Sequence, residues 1–148
     1  MIEQDLTKVL RLFIEDAIKD FRMPTKSGIA RAPIVINGYL PPKRSGVEDE
    51  FPFVLVRPDK GSTDRDKTEV EISLIVGCYS EEFDGHEFCF NVMTRIRHAL
   101  TSLYCGTLAN KYQLQYPIEW ENFDDQPWPQ WQLDIKTKWA FRASEVEF

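Results

Sequence analysis

From Thr68 to Tyr79 the chain reads TEVEISLIVGCY, and this run constrains the fold more than any other. Val70, Ile72, Leu74 and Val76 fall on one side, Glu69, Glu71 and Ser73 on the other. That period of two is a β-strand with a wet face at its start. Ile75 and Gly77 make the far half apolar on both faces. Directly behind the strand comes an acidic turn, then a run of helical period. Asp84 is placed to cap that helix, with Glu87 completing a capping box. Phe88, Val92, Ile96, Ala99, Leu100 and Leu103 form its apolar stripe, and Gly106 is expected to end it.

The remaining elements follow from the same periodicities. Leu6, Val9, Leu10, Phe13, Ile14, Ala17, Ile18 and Phe21 repeat at three and four residues, which predicts an amphipathic helix stopped before Pro24. Thr25 to Ala32 reads as a loop. Strands are expected at Pro33–Leu40, Phe51–Pro58, Lys111–Asn122 and Trp131–Ala143, with Trp139 in the core. Asp59–Lys67 reads as a polar turn joining an antiparallel hairpin, and Phe123–Gln130 as a proline-bearing link. The expected fold is α+β: one domain over residues 1–148, with an antiparallel or mixed sheet of about five strands. Two main helices are expected on one face of that sheet.

Composition narrows the function. A net charge of −6 repels phosphate backbones at long range, which disfavours general nucleic-acid binding. The three cysteines contain no CxxC pair and read as buried thiols of a reducing compartment. The acidic start MIEQDLTKVLRLF is not a signal peptide, and no stretch is long and apolar enough to span a bilayer. Synthesis in a cytoplasm is therefore expected.

Chemistry-bearing groups are sparse. His86 and Cys89 share a helix face, with His98 further along, but the spacing matches no common zinc pattern. No cysteine has a cationic neighbour in sequence that would activate it as a nucleophile. Asp59, Asp64 and Asp66 around Gly61 fail the twelve-residue calcium pattern and read as a solvated hairpin tip together with Lys60 and Arg65. Glu119, Glu121, Asp124 and Asp125 flank turns as acids commonly do, which weakens a glycosidase reading. Trp128 and Trp131 stand beside prolines and divide evenly between core and interface anchor. Lys26, Arg31, Lys43 and Arg44 are loop cations. No catalytic residue, cofactor or metal is expected.

The chain also carries an ordered set of segments: NGYLPPK at Asn37–Lys43, FPFVLVRP at Phe51–Pro58, TEVEISLIVGCYSEE at Thr68–Glu82, DGH with NVMTRIRHAL, YPIEW at Tyr116–Trp120 and DQPWPQW at Asp125–Trp131. In that order they resemble the tail terminator (tail completion) proteins of long-tailed bacteriophages, in the form found in Gram-positive phages and prophages. The resemblance spans roughly residues 33 to 141 and implies an α/β subunit of a ring, usually hexameric. Such a ring caps the tail tube protein, stops its polymerisation and offers a surface for head–tail joining, with phage DNA passing through the lumen. The implied place is the virion tail.

In that reading Lys43, Arg44, Asp59, Lys60, Asp64, Arg65, Asp66, Trp128 and Trp131 are the candidate contacts with neighbouring subunits, tube protein or connector. Lys43 and Arg44 suit either an interface or the lumen. One rival is a head–tail joining or other neck protein. The other is a small cytoplasmic ligand-binding domain or enzyme, which would need a pocket gathering His86, His98 and acids.

Overall fold

A computed structural model describes residues 2–25, 30–39, 51–123 and 128–142. Helix α1 spans Ile2–Ile18 and helix α2 spans His86–Thr101. The strands are β1 (Ile34–Asn37), β2 (Phe53–Thr63), β3 (Lys67–Tyr79), β4 (Thr107–Leu108), β5 (Tyr112–Asn122) and β6 (Gln130–Arg142). They form one sheet in the order β1-β2-β3-β6-β5-β4. All pairs are antiparallel except β1 with β2, so the sheet is mixed. The expected α+β class holds. The sheet has six strands rather than five, because the two-residue β4 is too short to leave a periodic trace.

Both helices cover the same face. α1 lies on β1 and β2, α2 on β3 and β6, and the helices touch each other. Leu6, Leu10, Ile14 and Ile18 of α1 meet Val54, Val56, Ile72, Leu74 and Val76 from the sheet and Val92, Ile96 and Leu100 from α2. These are the positions whose spacing announced an amphipathic helix and an alternating strand. Burying each such side chain contributes about 1.5–3 kcal/mol. Trp139 heads the largest fully buried side chains. Its Nε1–H donates to Thr137 Oγ1 at 2.9 Å, and that hydroxyl donates to the Ile72 carbonyl at 2.9 Å. The indole thus fills the core without leaving a polar atom unpaired.

The opposite face carries a smaller buried cluster of Phe51, Phe53, Leu55 and Ile75. Phe53 lies directly across from Gly77 in the β2–β3 register. A Cβ at Gly77 would collide with the Phe53 ring, so the glycine lets the aromatic lie flat on the strand. This is the doubly apolar half of β3 foreseen from Ile75 and Gly77. Ser73, expected on a wet face, is buried and donates to Asp59 Oδ2.

Three local expectations are corrected. Residues Asp59–Thr63 are not turn but a continuation of β2, and only Asp64–Asp66 lie between the two strands. Asp84 does not cap α2: the N-cap is Gly85 in the right-handed helical region, with no side-chain cap hydrogen bond. α2 ends at Thr101 with Ser102 as C-cap, and Gly106 instead closes a following 3-10 turn at φ +66°. Thr25–Ala32 lies partly outside the described residues, but Arg31 is tied down. Its backbone bridges Met23, and its Nη2 donates to the Phe51 carbonyl at 2.7 Å.

One tertiary contact gives stability a pH dependence. The Tyr112 hydroxyl donates to Asp5 Oδ2, and Lys111 Nζ stands 3.3 Å from the same oxygen. The Tyr112 bond, aided by Lys111, outweighs the opposing effect of burial and holds the Asp5 carboxyl below its ordinary value. A carboxyl depressed in the folded state stabilises above its unfolded pKa of roughly 3.9 and loses that contribution as pH falls through the folded value. Urea midpoints measured below about pH 4 should therefore fall more steeply for the native protein than for Asp5→Asn. Parallel acid limbs for the two proteins would refute the assignment.

Candidate functional site

The sheet projects two unlike surfaces at its two ends, and β3 connects them. At its start is the β2–β3 arm, where every residue from Pro58 to Lys67 is exposed. Cross-strand pairs hold it in register. Thr63 and Thr68 hydroxyls share a hydrogen bond of 2.9 Å, and Lys60 Nζ stands 3.9 Å from Glu71. The tip is an Asx turn: Asp64 Oδ1 accepts the backbone N–H groups of Asp66 and Lys67 at 2.8 and 2.9 Å. Those two donors, Lys67 first, hold the Asp64 carboxyl below its ordinary range. Arg65 and Asp66 point from this fixed turn into solvent.

Asp59 belongs to a different group. On the face away from the helices it accepts from Ser73 and lies 3.9 Å from Lys136, which is itself 3.2 Å from Asp134. The Asp134 bond raises the Lys136 ammonium above its ordinary value. Asp59 is thus part of a cross-strand polar cluster rather than the loop tip.

At the far end β3 leaves the sheet at Tyr79 and turns through Ser80–Gly85 into α2. Two tryptophans from the β6 side fasten this corner. Trp131 Nε1–H donates to the Ser80 carbonyl at 3.0 Å, and Trp128 Nε1–H donates to the Glu81 carbonyl at 3.3 Å. Ser80 N–H donates to the Pro129 carbonyl at 2.9 Å. Gly85 is buried beneath the Trp131 indole, where a Cβ would clash. The tightness of that approach explains why glycine, not Asp84, starts the helix.

The corner's backbone is hydrogen-bonded to both indoles, while most of its side chains face solvent. Phe83 is 96% exposed and Trp128 56% exposed. Glu81, Glu82, Asp84 and Glu87 surround them, and residues 79–88 contain neither lysine nor arginine. Two exposed aromatic side chains on one corner, with acidic residues beside them in sequence, are of the type that interface hot spots favour.

The structure therefore separates the candidates read from the sequence. Lys60, Asp64, Arg65 and Asp66 share the arm. Trp128 and Trp131 share the opposite corner, and of that pair Trp128 is exposed while Trp131 is half-buried against the core. Lys43 and Arg44, like Lys26, Asp124 and Asp125, lie outside the described residues. Phe83 escaped notice because a lone aromatic in an acidic turn carries no periodicity. Trp120 is also exposed, with the Arg97 guanidinium 5.0 Å from its ring centre.

Among the described residues no three His, Cys, Asp or Glu side chains converge on a metal-sized site. No helix among them is long and apolar enough to cross a membrane. The concavities are open grooves. One of about 250 Å³ runs along the arm beside Lys60, Gly61, Val70 and Lys138, and one of about 490 Å³ lies between α1 and the β1–β2 edge beside Lys8, Arg11 and Asn37. His86 and His98 line neither. His86 instead sits with its ring 5.9 Å from that of Trp131. No family model matches the chain, and no curated protein matches it.

Proposed function

We propose that this protein is a ring-forming structural subunit of a phage tail, a tail terminator that caps the tube and works without turnover. The observation that carries the reading is the pair of unlike projections on one sheet, the exposed arm and the acidic aromatic corner. The 13 residues of β3 set them about 40 Å apart at strand rise. A subunit with two different surfaces makes heterologous contacts, which close into a ring when the rotation per subunit allows. The resemblance of the ordered segments to terminator proteins supports the rest of the reading: a ring, taken as a hexamer, one face on tube protein and the other toward the connector. DNA would pass only through its lumen.

Native mass spectrometry of the purified chain, alone and mixed with a phage tail tube protein, tests the reading. A ring mass, or tubes capped at fixed length, is expected. A strict monomer that ignores tube protein but binds the connector would replace the terminator with a head–tail joining protein. A monomer that binds neither would sink both.

A further inference from the structure

Directly beneath the corner, Cys78 at the end of β3 and Cys89 in the first turns of α2 face each other. Their sulfurs are 2.9 Å apart, closer than ordinary non-bonded contact, with the Cys89 thiol donating to Cys78. They are 0% and 1% exposed. Cys89 Sγ also lies 3.5 Å from the Trp131 carbonyl, so the pair touches the segment that fastens the corner. All three cysteines are free thiols, and Cys105 is exposed elsewhere.

We propose that Cys78 and Cys89 form an oxidisable latch, a reversible intramolecular disulfide that locks the corner presenting Phe83. The residues between them, Tyr79 to Phe88, are the corner itself, so the bridge would close it into a small loop. Forming the bond requires the sulfurs to approach by roughly 0.9 Å, to the disulfide length of about 2.05 Å. Pre-positioning makes the second thiol far more available than any thiol in solution.

Closed, the pair is inert. Burial first, and then the Cys89 contact, push the Cys78 thiol well above its ordinary value. Access comes through the N-terminus of α2, which has no side-chain cap and frays more readily for it. The oxidant is a small-molecule disulfide. The Cys89 thiolate attacks one of its sulfurs and releases one small thiol. The Cys78 thiolate then attacks Cys89 Sγ, forms the S–S bond and releases the second. Two protein thiols become one disulfide, and the small disulfide takes up both electrons and both protons.

The test uses the full chain carrying Cys105→Ser, held in a glutathione redox buffer, acid-quenched, unfolded and labelled with N-ethylmaleimide. A second sample is refolded in the same buffer, where access does not limit the reaction. The expected result is loss of both labels, a mass lower by two hydrogens, a cross-linked peptide joining positions 78 and 89, and reversal by dithiothreitol. Bridging in either sample supports the latch. Two free thiols, or a stable glutathione adduct in place of the bridge, in both samples would overturn it. The outcome is independent of whether the chain forms a ring.

Discussion

If the chain assembles as proposed, alanine at both Phe83 and Trp128 is expected to leave a folded protein that no longer does so. Phe83 is almost entirely in solvent, and Trp128 is 56% exposed, with its indole N–H donating to the Glu81 carbonyl at 3.3 Å. Exposed substitutions of this kind usually change stability by no more than about 0.5 kcal/mol. Aromatic anchors at the centre of an interface contribute about 2 kcal/mol or more each, close to a thirtyfold loss of affinity per residue. Light scattering across a concentration series, beside a urea titration of the same samples, separates the two effects. Assembly that survives the double substitution would move the interface away from the corner. An equal loss of stability would make the two aromatics structural.

The second large effect belongs to Trp139. Removing a fully buried indole costs about 3–5 kcal/mol, a large part of the 5–15 kcal/mol typical of a whole domain. Trp139→Ala should therefore be marginal or unfolded at room temperature. Trp139→Phe keeps most of the volume but breaks the hydrogen bond to Thr137, and should fold with an intermediate loss. Urea unfolding of both variants checks the order. A loss below about 1 kcal/mol for the alanine would mean that the core closes around the vacancy.

How legible these features were depends on how local their causes are. Trp139 is readable as core because Leu133, Ile135, Thr137, Trp139 and Phe141 alternate with Asp134, Lys136, Lys138 and Arg142, a period that only the small Ala140 interrupts. The arm was misread because Asp59-Lys60-Gly61-Ser62-Thr63 has the composition of a turn. What makes it strand is the ladder to Thr68–Glu71 across the hairpin. The capping box at Asp84 failed for a nonlocal reason, the Trp131 ring lying on Gly85 from 46 residues away. Trp128 and Trp131 look alike in sequence because both lie within two residues of Pro129. Only their distance from the core, set by where β6 begins, tells them apart. Strand order left no trace in the sequence, since β6 enters between β3 and β5 through contacts that no periodicity encodes.

The outer strands carry one more consequence. Among the described residues nothing pairs with β2 beyond Val56 on its β1 side, or with β5 beyond Gln113 on its β4 side. Each free stretch contains a proline, Pro58 or Pro117, and each breaks register there, between Pro58 and Lys60 and between Gln115 and Glu119. A proline offers no N–H, and a register break bends the strand away from a straight template. Two copies that met by chance along these margins would find no continuous backbone ladder to extend. Along these two margins of the described residues, backbone pairing between copies is disfavoured, so that any contact made there would be selected by side chains.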